Sequence, residues 1–354
     1  MPISLDLKHF MGTNAQPVPE EAHDAMLGTL TLKDLHALGS LRPLAKIIEN
    51  HLMHRIRTLF ASFHLPCRAT LDIMGDTGSV VSGSAAMSII IPGLRVPRDL
   101  NLYCPRGYAE EVVGYLKSQK YVIQPTNTTW NHLKTGNMGK YNINNGVHSL
   151  HRFNHLTHSS FITLVESAAA SPLIPILFFH NTFLMNYYDA RKVTCLYPEL
   201  TFEMKGLHNR SSGFDRLHKQ GLGLKWERLG VSLLWTCETL HDHQATATTT
   251  THTRKPTECQ RERRSMEDGN ALNIQYDYRT SFASRTHLSW HLGFFKWETT
   301  CVDYHDTQVT AEVGAERTRY SNTKTARKVL DWRVYWGQED ENEGRTNVAE
   351  TSFP

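Results

Sequence analysis

The most constraining feature of this 354-residue chain is a strand, a tight turn, a short helix and a second strand within residues 79–103. Val80 and Val81 begin a buried strand that ends at a glycine turn, where Gly83 accepts backbone angles that other residues avoid. In the second strand polar and apolar residues alternate, so Asp99 and Asn101 face the same way. The sequence therefore predicts two polar side chains on one strand face, close to the turn.

This arrangement suits chemistry on phosphate groups. A glycine at a strand-to-helix turn lets the backbone approach a phosphate, and the start of a helix favours negative charge. Two carboxylates two residues apart on a strand can share metal ions, which neutralise phosphate charge during nucleotidyl transfer. Here Asp99 supplies one carboxylate, but Asn101 supplies an uncharged amide. Magnesium sites depend on carboxylates, so the sequence predicts a weakened metal site.

The same residues resemble a family of fungal, mainly basidiomycete, proteins with a nucleotidyltransferase-like core. Members of that family carry Ser-Gly-Ser-Ala-Ala and then Pro-x-Asp-Leu-Asp-x-Tyr-x-Pro. The matching residues here are Ser82-Gly83-Ser84-Ala85-Ala86 and Pro97-Arg98-Asp99-Leu100-Asn101-Leu102-Tyr103. The resemblance covers residues 35–225 well and the segment after Cys259 more faintly. It implies an α+β fold with a nucleotidyltransferase-like mixed sheet flanked by helices, and the alternating pattern after Cys259 predicts a small β-rich C-terminal segment.

The resemblance also implies roles for four residues. Gly83 and Ser84 would bind the nucleotide, Asp99 would be catalytic, and Asp99 with Asn101 would hold magnesium if the protein is active. Because Asn101 stands where the family has a second Asp, we expect a non-catalytic pseudoenzyme that binds a nucleotide or a protein partner. The alternative is a magnesium-dependent nucleotidyltransferase. Thr163 stands where a third carboxylate would lie on the neighbouring strand.

Composition divides the chain into five parts. We expect a disordered tail at 1–28, a nucleotidyltransferase-like domain at 29–230, a Thr-rich linker at 239–258, a β-rich segment at 259–337 and an acidic disordered tail at 338–354.

Periodicity predicts the main elements of the central domain. Thr31 and Asp34 form a capping box at the start of a helix, and apolar residues at three- and four-residue spacing predict a long helix from Pro43 to Phe63. Val147 to Phe153 and Phe161 to Val165 read as an antiparallel hairpin. The apolar run from Leu173 to Tyr188 is predicted to be one buried helix.

Charge and cysteine content limit the classes of partner and compartment. A net charge of +3 is too small to favour nucleic-acid binding, and six widely spaced cysteines favour reduced thiols. The first residues do not form a signal peptide pattern, and the run from Pro172 to Tyr188 is shorter than a membrane span. We therefore expect an intracellular protein, in the cytoplasm or nucleus, without a membrane partner.

Two further clusters are weaker candidates. The histidines that could bind a metal are His151, His155 and His158, with His241 and His243, and the basic patch consists of Arg254, Lys255, Arg261, Arg263 and Arg264. No Cys or carboxylate framework accompanies the histidines, and charge runs are usually solvated surfaces, so we expect ordinary polar residues in both cases.

Overall fold

The computed structural model describes most of the first two thirds of the chain and shorter pieces beyond it. The described residues are 12–13, 16–17, 20–124, 147–167, 170–209, 224–235, 264–266, 268–277, 286–290, 292, 296–302, 308–314, 333–338 and 347–350. The Thr-rich linker predicted at 239–258 lies outside them. Within the described residues no helix is long and apolar enough to cross a membrane.

The stretch 1–28, predicted to be disordered, contains regular structure. Strands β1 (Gly12–Thr13) and β2 (Gln16–Pro17) pair antiparallel, and helix α1 (Glu20–Leu27) follows. Asp24 of α1 accepts a hydrogen bond of 2.6 Å from Nδ1 of His51, and Leu27 is buried in the core. The prediction of disorder was wrong for α1 because tertiary contacts, which polar composition does not reveal, fix this helix.

Three more helices follow before the sheet begins. They are α2 (Leu32–Gly39), α3 (Arg42–Ser62) and α4 (Cys67–Thr77). The capping box is present: Thr31 Oγ1 accepts from the backbone N–H of Asp34, and the Asp34 carboxylate accepts from the backbone N–H of Thr31 at 2.9 Å. Pro43 lies in the first turn of α3, where its missing N–H costs nothing. The apolar stripe of α3 is buried, as its spacing predicts.

An eight-stranded mixed sheet forms the centre of the protein. Its strands are β3 (Val80–Ser82), β4 (Asp99–Cys104), β5 (Tyr121–Ile123), β6 (Val147–His155), β7 (Phe161–Ser167), β8 (Asn186–Tyr188), β9 (Lys192–Cys195) and β13 (Leu272–Gln275). The spatial order is β13-β9-β8-β3-β4-β7-β6-β5. β4 and β7 run parallel, and the other neighbours are antiparallel. Helix α5 (Ser84–Ile90) joins β3 to β4, and α6 (Ala109–Ser118) precedes β5. The chain is therefore α+β, with a large mixed sheet flanked by helices.

The two faces of the sheet pack into separate apolar clusters. Val81 and Leu102 belong to the cluster that includes the N-terminal helices, whereas Val80 and Tyr103 belong to the other. Because neighbouring residues of a strand point to opposite faces, Asp99 and Asn101 share the face of Tyr103.

The apolar run 173–188 is not one helix, and this prediction was wrong. The structure has a single turn, α7 (Ile174–Leu177), then a 3₁₀ turn (Thr182–Leu184), then β8. The side chain of Asn181 accepts a hydrogen bond from the backbone N–H of Leu184 at 3.2 Å and starts the 3₁₀ turn. A continuous apolar run fits a strand buried on both faces as well as it fits a buried helix, so the pattern alone could not separate them.

The remaining elements lie outside the central sheet. They are α8 (Pro198–Phe202), β10 (Lys205–Leu207), α9 (Leu224–Glu227), β11 (Ser232–Leu234), β12 (Arg264–Ser265), β14 (Thr286–Trp290), β15 (Lys296–Val302), β16 (Gln308–Gly314), β17 (Arg333–Gln338) and β18 (Asn347–Glu350). β10 and β11 pair parallel, and a six-stranded sheet has the order β12-β14-β15-β16-β17-β18.

The segment after residue 259 is not confined to its own sheet. β13 pairs with β9 at the edge of the central sheet, from Leu272 opposite Cys195 to Gln275 opposite Lys192. Trp290 of β14 is buried and donates from Nε1 to the hydroxyl of Tyr197 at 2.7 Å. β18 lies within the stretch 338–354, which was predicted to be disordered.

Candidate functional site

The turn between β3 and α5 requires glycine for two reasons. Gly83 has φ of 74°, which L side chains rarely adopt. A Cβ placed on it would also lie 3.2 Å from Nδ2 of Asn101. The turn is therefore pressed against the polar face of β4, and only a residue without a side chain fits there without strain.

Asp99 and Asn101 lie side by side on that face, and their side chains are hydrogen-bonded to each other. Asn101 donates from Nδ2 to Oδ2 of Asp99 at 3.1 Å. The intervening Leu100 is fully buried on the opposite face, as the alternation predicts. The structure thus brings Gly83, Asp99 and Asn101 together. Asn101 and Asp99 are hydrogen-bonded to each other, and Gly83 lies against the Asn101 amide.

Ser82 and Ser84, on either side of Gly83, are less exposed to solvent than Gly83. Ser84, the first residue of α5, is only 6% exposed. Ser82 is fully buried and donates from Oγ to the backbone oxygen of Asn186 on β8 at 2.5 Å. Of the two predicted nucleotide-binding residues, Gly83 is thus the more accessible.

The neighbouring strand β7 adds no carboxylate to this face. Thr163 is paired directly with Asn101, and Glu166 is paired with Cys104 on the opposite side of the sheet. Glu166 accepts from the backbone N–H of Gly107 at 2.8 Å and from the hydroxyl of Ser149 at 2.7 Å. Glu166 therefore fastens the loop after β4.

Three cations act on the Asp99 end of the site. The pKa of Lys225 on α9 is lowered, first because partial burial removes water from the ammonium group and then because Arg95 and Arg98 repel it. Asp99 acts on Lys225 in the opposite direction. The ammonium also lies 4.9 Å from the centre of the Trp226 ring. Lys225 therefore interacts electrostatically with two arginines and with the Asp99 carboxylate.

A neutral histidine lies next to this group. Burial, together with weaker repulsion from His208 and Lys225, lowers the pKa of His180 to about 4. Nδ1 of His208 donates to the backbone oxygen of His180 at 3.0 Å. His180 is thus uncharged near pH 7 and adds no charge to the positive group.

Magnesium does not fit the residues present. Of Asp99, Asn101 and Thr163, only Asp99 has a carboxylate. Its Oδ2 already accepts a hydrogen bond from the amide of Asn101. Thr163 offers a hydroxyl without charge, and the nearby Lys225, Arg95 and Arg98 repel cations. Magnesium sites rely on carboxylates, so this donor set is too poor to hold the ion.

The other predicted candidates have structural roles where they are described. The rings of His64 and His158 are stacked with their centres 3.6 Å apart and planes inclined by 17°. An imidazole binds a metal in its ring plane, so rings stacked in this way do not share an ion. Among the described residues no three His, Cys, Asp or Glu side chains are placed to hold a metal.

Arg264 is not part of a basic surface. It is buried, donates to Asp268 and to the backbone oxygen of Leu196, and lies over the ring of Tyr197 at 4.6 Å. The other residues of the predicted basic patch lie outside the described residues, as do His241 and His243.

Sequence reasoning missed Lys225, which interacts with Asp99, and Arg95, which repels Lys225. Arg95 lies in the loop before β4, and a single arginine in a loop does not predict a binding site. Lys225 comes from a distant part of the chain, and no local pattern marks it.

Comparison with protein-family models, with curated proteins and with solved structures finds no match for this chain. The fungal family and the nucleotidyltransferase-like assignment therefore stay predictions.

Proposed function

We propose that this chain is a non-catalytic nucleotidyltransferase-like protein that binds a nucleotide. The observation that carries the proposal is the hydrogen bond from Asn101 to Asp99 beside the Gly83 turn. A strand, a glycine turn and a helix beside a polar strand face support the proposal, and in place of a carboxylate pair this face has one carboxylate, Asp99, and one amide, Asn101. A metal-dependent transfer step needs charged ligands that this pair lacks.

The cations supply the attraction for a nucleotide. Arg95 and Arg98 act on Lys225, which also interacts with Asp99, so three cations and one carboxylate take part in this set of interactions. Phosphate groups are attracted to a net positive charge and magnesium is repelled by it. Guanidinium groups also hold phosphates through paired N–H donors. Binding of the phosphates therefore does not require a metal ion.

The alternative is a magnesium-dependent nucleotidyltransferase. It is favoured by one observation: Asp99 and Asn101 share a strand face within reach of Gly83. Under this alternative the Asn101 amide would turn its oxygen toward the ion, and nucleotide binding would depend on magnesium.

Isothermal titration with ATP, in EDTA and in magnesium, tests the proposal. We expect binding in EDTA, no gain with magnesium and no release of diphosphate. Replacing Lys225 with Gln should weaken ATP binding, whereas replacing Lys33, an exposed lysine paired with Glu199, with Gln should not. Binding only in the presence of magnesium, or release of diphosphate, would overturn the proposal.

A further inference from the structure

A single row of residues crosses four strands on the face that carries Asp99. Val122 on β5 pairs with Asn154 on β6, Asn154 pairs with Phe161 on β7, and Phe161 pairs with Asp99 on β4. Directly paired residues of neighbouring strands present their side chains on the same face. The row therefore leads from apolar residues at the sheet edge to the carboxylate at its centre.

The apolar end of this row is open. Val122 and Phe161 are each 47% exposed, and Leu156, the residue after β6, is 66% exposed. On the opposite face Tyr121 and Phe153 of the same strands are buried. Val122, Leu156 and Phe161 form what we call the edge patch.

Asn154, between Val122 and Phe161, has an unsatisfied acceptor. Its Oδ1 is buried and has no hydrogen-bond partner among the described residues. Such an atom has lost its water without gaining a donor, which is unfavourable. Because the atom is buried, a ligand N–H would satisfy it only after the Asn154 side chain turns toward the surface.

We infer that the edge patch receives the base of the nucleotide, an inference that rests on the proposed function. The base stacks on the Phe161 ring beside Val122, and an N–H on its edge faces Asn154. The phosphates then lie toward Asp99 and the cations Arg98 and Lys225. Strands are spaced by about 4.8 Å, so Phe161 lies one strand from the phosphate end of the site.

Arg152 adds a cation to the same face. It is exposed on β6 and pairs with Thr163, which pairs with Asn101. A guanidinium group stacks on aromatic rings and donates to anionic oxygens. The face thus combines an aromatic surface with positive charge, which suits a nucleotide.

The size of the edge patch favours a base over a protein surface. Three side chains about half exposed present roughly 300 Å² in total. A stable protein interface takes about 800 Å² from each partner. The edge patch is too small for such an interface and is comparable with the face of one base.

Isothermal titration with two probes in EDTA tests the inference. The probes are ATP and inorganic tripolyphosphate, which has the phosphates without a base. We expect Phe161→Ala to weaken ATP binding about 5- to 100-fold, the usual effect of losing one stacked aromatic ring. Binding of tripolyphosphate should not change. Phe161→Tyr retains the ring and should bind ATP as the unmodified protein does. Leu41→Ala, which removes an exposed apolar side chain elsewhere, should have no effect.

The outcomes separate this inference from the proposed function. If the unmodified protein binds neither probe, the proposed function fails. If it binds ATP but Phe161→Ala leaves ATP affinity unchanged, or weakens both probes equally, the inference fails while the proposed function stands. If Phe161→Ala does not fold, Phe161→Leu is compared with Phe161→Tyr, since both keep an apolar side chain and only one keeps a ring.

Discussion

The amide of Asn101 donates a hydrogen bond to the carboxylate of Asp99 across 3.1 Å, on the same face of the same strand. The two side chains share one strand face, and the Asp99 carboxylate has its hydrogen-bond donor within the same strand. The amide nitrogen also lies 3.2 Å from the position that a Cβ on Gly83 would take. A single asparagine therefore shapes both the charge of the site and the space next to the turn.

Replacing Asn101 with Asp should create a metal site. Without metal, two carboxylates on adjacent positions repel each other, and we expect a loss of about 1–2 kcal/mol in the free energy of unfolding. Magnesium should restore stability in this variant and should bind about tenfold more tightly than to the unmodified protein. Thermal melts with and without magnesium measure both effects.

A matched control is Asn273→Asp, on the edge strand β13, where Asn273 accepts from Thr194 and has no carboxylate beside it in the strand pairing. That variant should show no magnesium response. If Asn101→Asp also shows none, this face cannot become a magnesium site and the relation to metal-dependent transferases is lost.

Arg55 should be among the most important side chains for stability. It donates to His51 Nε2 and to the backbone oxygens of Ile89, Leu27 and Leu30 at 2.7–2.9 Å. Burial lowers its pKa to about 10, so it stays charged near pH 7. Arg55→Ala leaves several acceptors unsatisfied and should cost about 3 kcal/mol or more in urea denaturation. Arg57→Ala, an exposed arginine of the same helix, should cost under about 0.5 kcal/mol. Equal effects of the two variants would refute this role.

Stability should fall in mild acid because of His180. Burial lowers its pKa from 6.5 to about 4, so between these values the unfolded chain binds a proton that the folded protein does not. Above pH 6.5 this group does not reduce the free energy of unfolding. As the pH falls toward 4, the free energy of unfolding decreases by at most about 3 kcal/mol. Urea denaturation between pH 7 and 4 measures this slope.

His180→Gln should make the slope shallower, and some slope will remain because the pKa of His51 is also lowered. His36→Gln, at an exposed position of α2, should keep the profile of the unmodified protein. An unchanged slope in His180→Gln would show that His180 is not buried in its neutral form.

The local part of the site could be predicted from the sequence, and the distant part could not. The alternation of Asp99, Leu100 and Asn101 and the glycine turn depend on neighbouring residues, so periodicity identified them. Lys225 reaches Asp99 only through the folding of a remote segment. Periodicity does not give the register that places Phe161 beside Asp99, because strand pairing between distant segments has no local signature.

The fold shows the same division. The capping box at Thr31 and the apolar stripe of α3 were predicted because both are set by residues within a few positions of each other. The run 173–188 was misread because strands buried on both faces lose their alternation. Tyr188 lies between Val81 and Val193 in the sheet, and only the tertiary structure reveals this.

Gly83→Ala should be more costly than the same change at another glycine with positive φ. Gly83 and Gly93 have φ of 74° and 79°, so alanine is strained at both. Around Gly93 nothing lies within 4 Å of an added Cβ, whereas at Gly83 the Asn101 amide lies at 3.2 Å.

We expect Gly93→Ala to cost about 1 kcal/mol, the cost of the left-handed backbone alone. Gly83→Ala should cost at least about 1 kcal/mol more, because ψ of −145° places Gly83 in a backbone region that essentially only glycine occupies, and because the Asn101 amide must move and its bond to Asp99 weakens. Asn101→Ala removes that amide, so the second change should cost less in the double variant than in the single one. Urea denaturation of the four proteins gives the coupling energy between residues 83 and 101. A coupling energy near zero would show that the turn and the strand do not constrain each other, and that glycine is needed at residue 83 for its backbone angles only.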